Sequence, residues 1–163
     1  MKYTIPKLLT LSFSVILFLG CASTKISKQQ KTNKATVKMW FEEGWNNKRT
    51  KELVPVCFDE NWEEGNPILP DQMMGHEGMY QLLDRFNSAF TDIHFDLTHV
   101  FAEGNYVCVR YYVDATHIGD FFGVPPTNKK ITTSGMAVYE LENGKIKVSF
   151  AETDFLGVLT QIK

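Results

Sequence analysis

The sequence predicts one α+β domain in which helices come first and a curved antiparallel sheet follows. Apolar residues recur at helical spacing up to about residue 90, whereas from Thr91 onward they alternate. Asn143-Gly144 lies between two alternating runs and is a strong signal for a two-residue hairpin turn. The roughly 130 residues from Thr36 onward contain no repeat and no second linker, so they suit one domain with one core.

Four helices are expected, three before the sheet and one after it. Val37, Trp40 and Phe41 mark the apolar stripe of the first helix, and Thr50 can cap the second. The connection over residues 58–75 is expected to be irregular, because prolines interrupt it. The expected helical ranges are 37–47, 50–56, 76–90 and 155–162.

Four strands are expected, over residues 93–102, 106–117, 131–141 and 146–154. A three-residue loop, 103–105, would pair Phe101 with Val107 and His99 with Val109. The Asn143-Gly144 turn would oppose Leu141 to Ile146 at one end of the second hairpin and Thr133 to Asp154 at the other. The core side chains of the last strand would then be Ile146, Val148, Phe150, Glu152 and Asp154.

That face of the last strand starts apolar and ends in two carboxylates. The opposing strand supplies only small side chains there, Thr133 among them, so room is left where Glu152 and Asp154 point. His117 ends the core face of the second strand, and His99 lies on the same face of the first. A face that is apolar at one end and ionisable at the other indicates a small-molecule pocket.

Each candidate pocket residue has two interpretations. Asp154 suits a general acid or base, because a partly dry pocket raises a carboxyl pKa, but it also suits the N-cap of the last helix. Glu152 either holds substrate or pairs with a basic residue at the rim. His117 either binds substrate or hydrogen-bonds the following loop, and His99 is a pocket or a core histidine. The predicted set of pocket residues is completed by Tyr111, Thr133, Trp45 and Trp62.

Residues 1–20 are typical of a secretory signal peptide, because two lysines precede an apolar run of about a dozen residues, which is short for a spanning helix. The run ends in Phe18-Leu19-Gly20-Cys21, which resembles a lipobox. We therefore expect an exported lipoprotein of the bacterial cell envelope, anchored to the membrane by lipid on Cys21. An ordinary signal peptide or an uncleaved anchor is the alternative. The polar residues 21–35 are expected to be a tether, and residues 36–163 the domain.

Charge and cysteine content exclude some partners. Removing residues 1–20 takes two lysines from a chain of net charge −2, which leaves −4, and no basic patch indicates nucleic-acid binding. Cys57 and Cys108 either pair in the oxidising envelope or remain small buried thiols. Neither belongs to a metal-ligand spacing, and no metal or cofactor is predicted.

Several segments resemble the SnoaL-like polyketide cyclases of the nuclear-transport-factor-2-like superfamily. Residues 75–78 and 86–92 resemble the G-x-E-G and A-F-P-D segments of that family, with Thr91 in place of proline. The match continues through residues 102–105, 116–121, 123–129, 142–146 and 152–161. Order and spacing hold over nearly all of residues 37–162.

The resemblance implies a cone-shaped α+β barrel of the cystatin-like kind with one open, mostly apolar cavity. Characterised cyclases of this family close a ring by intramolecular aldol condensation without metal or organic cofactor, using an aspartate that Asp154 matches in position. Many relatives carry a histidine in the segment matching residues 61–67; this chain has none, and Glu63 or Glu64 are the candidates to replace it.

Two functions follow from these expectations. The first is an acid–base enzyme acting on a small hydrophobic carbonyl or ester compound. The second is a lipoprotein that binds such a ligand without catalysis. A homodimer formed on the open sheet face is a further expectation.

Overall fold

The computed structural model describes residues 28–68 and 71–163. Helix α1 is α-helical over residues 28–39 and continues with π-helical hydrogen bonding over Trp40–Asn46. The remaining elements are α2 (Thr50–Cys57), β1 (Phe58–Glu64), α3 (Gly75–Ala89), β2 (Phe90–Glu103), β3 (Tyr106–His117), β4 (Lys130–Glu142), β5 (Lys145–Thr153) and α4 (Phe155–Ile162). The expected signal peptide, Cys21 and the first residues of the expected tether lie outside the described ranges. Within those ranges, no helix is both long and apolar enough to cross a membrane.

The strands form one curved, unclosed sheet in the order β1-β5-β4-β3-β2. β1 runs parallel to β5, and the other neighbours are antiparallel. The main core lies between the sheet and helices α1 to α3 and includes Trp40, Leu83 and Val109. A second cluster, which includes Ile131 and Ile162, packs under α4. The α+β class with a helix-packed curved sheet is therefore confirmed.

Strand β1 corrects the expectation of an irregular segment after Phe58. Only Phe58 and Trp62 are buried along it, so its composition lacks the alternation that signals a strand. It forms because it pairs with the edge of β5, where Phe58 lies opposite Ile146 and Glu64 opposite Ser149. Thr50 is also placed differently from expectation: it is the first residue of α2, and Arg49 precedes the helix without a side-chain cap.

The prediction of a tether is wrong for residues 28–35, because these residues are helical. Their polar composition offers little apolar surface, yet Asn33 is fully buried. Two hydrogen bonds hold this part of α1 against the hairpin turns: Gln29 Nε2 donates to Asn105 Oδ1 at 2.7 Å, and Thr36 Oγ1 donates to the Gly144 carbonyl at 2.8 Å. Contacts with distant turns thus order a segment that its own composition would leave unfolded.

A β-bulge in β2 changes the register of the first hairpin. The turn contains two residues, because Glu103 pairs with Tyr106, and the register shifts between Leu97 and His99 so that Thr98 is the extra residue. The pairs are Ala102 with Val107 and Val100 with Val109, not the expected Phe101 with Val107 and His99 with Val109. His99 and Phe101 are therefore exposed, because a one-residue slip moves side chains to the opposite face.

A second β-bulge has the same effect in β5. Leu141 pairs with Ile146 as expected, but Glu140 pairs with Val148, which leaves Lys147 as the extra residue. From there the residues that face Tyr139, Ala137 and Gly135 are Ser149, Ala151 and Thr153. The expected core face of Val148, Phe150, Glu152 and Asp154 is wrong beyond Ile146.

The bulge in β2 predicts that serine substitutions at two adjacent positions change stability by different amounts. Val100→Ser should lower the free energy of unfolding by about 1–2 kcal/mol, because it removes a half-buried apolar side chain. Phe101→Ser should change it by less than about 0.5 kcal/mol, because Phe101 is 63% exposed. Urea unfolding of the two variants checks this, and a larger loss at Phe101 would contradict the register.

Candidate functional site

A cavity of about 180 Å³ lies between the concave face of the sheet and helices α1, α3 and α4. On this measure a single water needs roughly 10–15 Å³, so the space suits a small organic molecule. Most of its wall is aromatic or aliphatic, and Trp45, Phe86, Phe95 and Phe155 contribute rings. The side chains in the wall that carry polar atoms, apart from Trp indoles, are Glu64, Asn66, Gln72, Tyr111, Thr133, Tyr139, Ser149 and Thr153.

Glu64 is the acidic side chain of this wall, placed there by the last residue of β1. Burial raises the pKa of its carboxyl to about 7, and the negative charge of Glu152 adds to the rise. Hydrogen bonds from the backbone amides of Asn66, at 3.2 Å, and Ala151 oppose the shift but do not cancel it. The carboxyl therefore has both protonation states available near neutral pH.

Two tyrosine hydroxyls share the electrostatic environment of Glu64. Burial is the main reason that the pKa of Tyr111 is raised. Burial also raises the pKa of Tyr139 well above the usual tyrosine value. The charge of Glu64 contributes to both shifts. The Tyr111 hydroxyl is 3.0 Å from Thr153 Oγ1. Both tyrosines remain protonated at neutral pH and are available as hydrogen-bond donors.

The second bulge brings the remaining hydroxyls of β5 to the cavity. Ser149 and Thr153 line it because the extra residue Lys147 turns odd-numbered positions inward. Trp62, an expected pocket residue, is fully buried behind this wall, and its Nε1 donates to Ser149 Oγ at 2.8 Å. Trp62 therefore orients Ser149 and does not itself line the cavity.

Asp154 does not face the cavity. Its side chain is exposed, and its Oδ1 accepts a 2.7 Å hydrogen bond from the Gly157 amide, which caps α4. The Thr133 hydroxyl donates to the backbone carbonyl of Asp154 at 3.1 Å. Of its two interpretations, the structure shows the helix cap, because the bulge that turns Thr153 inward turns Asp154 outward.

Three other expected pocket residues lie elsewhere. His117 is fully buried outside the wall, with Nδ1 3.0 Å from Thr127 Oγ1, so it holds the connection after β3. His99 is exposed and lies 3.1 Å from the Thr98 hydroxyl. Glu152 is exposed outside the cavity, where it accepts a 2.9 Å hydrogen bond from Asn66 Nδ2.

Part of the cavity wall was predicted from the sequence. Trp45, Tyr111 and Thr133 lie in it as expected. Four other polar residues of the wall were not predicted as pocket residues: Tyr139, Ser149, Thr153 and Gln72. Glu64 had one signal in the sequence, the missing histidine in residues 61–67. Among the described residues, no three His, Cys, Asp or Glu side chains are grouped to hold a metal ion. Cys57 and Cys108 are both free thiols, and burial raises the pKa of Cys57 to about 11.

Comparison with known proteins identifies the family. The family model of SnoaL-like polyketide cyclases matches residues 35–162. The chain belongs to this family. No curated protein matches it. The SnoaL-like family acts on small molecules, which agrees with an apolar cavity of this size.

Solved structures share the cone-shaped fold of this SnoaL-like chain. A candidate SnoaL-like cyclase from Jannaschia sp. CCS1 is 22% identical with a TM-score of 0.72, over 82% of this chain and 92% of that one. A candidate polyketide cyclase from Acidithiobacillus ferrooxidans is 25% identical with a TM-score of 0.70, over 80% and 94%. AclR, a candidate hydroxylase from Streptomyces galilaeus, is 18% identical with a TM-score of 0.64, over 84% and 96%.

The capping role of Asp154 predicts which substitutions the protein tolerates. Asp154→Ala should lower the free energy of unfolding by about 0.5–2 kcal/mol, because the Gly157 amide loses its acceptor. Asp154→Asn should keep most of the stability, since asparagine is an equally good N-cap. Thermal or urea unfolding checks both variants. Equal losses in the two would contradict the cap.

Proposed function

We propose that this SnoaL-like protein is an acid–base enzyme that removes a proton next to the carbonyl group of a small apolar ester or ketone. Glu64 is the proposed base, and the reaction is an aldol-type cyclisation or a related isomerisation. The observation that carries the proposal is a half-buried carboxyl in an apolar cavity wall with a pKa of about 7. A base whose pKa lies near the working pH is both available and strong enough to act.

The proposed step begins with the Glu64 carboxylate taking the α-proton. The electron pair of the broken C–H bond passes to the enolate. In a cyclisation, the enolate carbon attacks a second carbonyl of the same molecule, a C–C bond forms, and Glu64 returns its proton to the new alkoxide. In an isomerisation, Glu64 returns the proton to a different carbon. Both routes restore the starting carboxylate.

The two tyrosines are the proposed donors to the enolate oxygen. Tyr111 and Tyr139 remain neutral because burial raises their pKa, so each can donate a hydrogen bond where negative charge develops. The aromatic wall excludes water and strengthens these interactions. Asp154, the positional match to the family aspartate, is not assigned the proton transfer, because its carboxylate is exposed and engaged by the Gly157 amide.

Substitution of Glu64 tests the proposal. Wild-type protein in D₂O should accelerate loss of the α-proton of small apolar β-ketoesters, and Glu64→Gln should reduce that acceleration about 10²–10⁴-fold, because glutamine keeps the shape and cannot accept the proton. The wild-type rate should rise with pH through about 7, as the Glu64 carboxyl ionises. ¹H NMR measures both effects.

Glu63→Gln is the matched control, because it changes the same functional group on an exposed neighbour of Glu64. It should leave the exchange rate and its pH dependence as in the wild type. A ¹³C NMR titration of the carboxyls, with the Glu64 signal identified by its absence from Glu64→Gln, checks the pKa directly. Wild-type exchange in Glu64→Gln would reject the assignment.

We also propose that the domain is exported and anchored through lipid on Cys21. The support is the order of two lysines, an apolar run, a small residue and a cysteine in residues 1–21. In a bacterial host fed an alkyne-tagged fatty acid, wild type and Cys57→Ser should be labelled and found in membranes. Cys21→Ser should carry no label. Label on Cys21→Ser would contradict the anchor.

A further inference from the structure

Gln72 is an amide in the cavity wall that has no hydrogen-bonding partner among the described residues. It lies in the connection between β1 and α3 and lines the cavity. Both its Oε1 and its Nε2 are out of contact with solvent, and neither bonds to any residue in the described ranges. One planar group therefore holds an unused donor and an unused acceptor at the site.

Two other side-chain amides of the fold are fully paired. Asn46 forms two hydrogen bonds with the backbone of Phe95, at 2.9 Å and 2.8 Å, and Gln161 does the same with the backbone of Thr132. An unpaired buried amide destabilises a fold, and native proteins contain few of them. Among the described residues, Asn33 Nδ2 and His117 Nε2 are also buried without a partner, but neither residue lines the cavity. Gln72 has two such atoms and lies in the cavity wall, where a ligand could supply the partners.

We propose that Gln72 recognises a planar group that presents a hydrogen-bond donor and an acceptor side by side, such as a lactam, a carboxamide or a neutral carboxylic acid. This group is a second functional group on the ligand whose ester or ketone Glu64 deprotonates. This inference deepens the proposed function, and it rests on that function in one respect: the ligand occupies the same cavity as Glu64. Recognition does not require proton transfer, so the two claims can fail separately.

A two-point hydrogen bond distinguishes this class from simple ketones and esters. A ketone or ester carbonyl accepts from the Gln72 amide nitrogen but leaves Oε1 unpaired, whereas a lactam or acid satisfies both atoms. Because neither amide atom is in contact with solvent, the side chain must turn about its torsions to present both atoms to a ligand in the cavity that it lines. Sites built to pair both groups discriminate against analogues that lack one of them.

Two six-membered rings of nearly equal shape provide the probe. 2-Piperidone carries an N–H beside its carbonyl, and δ-valerolactone carries an ether-type oxygen in its place. In ¹H–¹⁵N NMR titrations the lactam should bind wild type at least about fivefold more tightly than the lactone, since the lactone leaves one buried polar atom unpaired.

Gln72→Met should abolish that preference, because methionine keeps the length and removes both polar atoms. Gln29→Met, the same substitution at an exposed site beside the β2–β3 turn, should retain the preference. Glu64→Gln should retain it as well, which separates this inference from the proposed catalysis. Equal responses of wild type to the two rings, including no response to either, would overturn the inference.

The stability of the ligand-free protein gives a second readout. Gln72→Met should raise Tm by a few degrees, because it removes an unpaired buried amide. If Gln72 had a purely structural role, its replacement by methionine would lower Tm. A lowered Tm together with a persisting lactam preference in Gln72→Met would overturn the inference.

Discussion

The extra residue Lys147 in β5 decides which chemical groups enter the cavity. Side chains alternate between the two faces of a strand, so one unpaired residue reverses every position that follows it. In this sheet the reversal turns Ser149, Ala151 and Thr153 inward and Glu152 outward. The cavity gains two hydroxyls and loses two carboxylates as a direct result. The Thr98 bulge acts in the same way on β2, where it removes His99 from the inner face.

The edge strand β1 then supplies the acidic group that the inner face of β5 lacks. β1 pairs in parallel with β5, and its final residue, Glu64, lies opposite Ser149. Burial opposes the ionisation of this carboxyl, while two backbone amides favour it. Burial is the larger effect, and the pKa of about 7 is its outcome. The acid–base potential of the site thus results from the position of Glu64 at the apolar wall.

Much of the fold could be predicted from the sequence, because its signals are local. The inner face of β3 was predicted residue by residue, since it alternates without interruption from Val107 to His117. The Asn143-Gly144 turn correctly paired Leu141 with Ile146. β1 escaped detection because only Phe58 and Trp62 are buried along it. The helical residues 28–35 escaped because their order depends on contacts with two hairpin turns.

The α+β class, the order of most elements, the family and part of the cavity wall can be read from short stretches of chain, because periodicity, turn residues and family segments are local properties. The identity of the carboxyl that reaches the cavity depends on long-range packing. Asp154 and Glu64 are both acidic residues at strand ends, and nothing local to either shows which way it points. Strand pairing decides this, because the bulges at Thr98 and Lys147 arise from the register between neighbouring strands and not from composition.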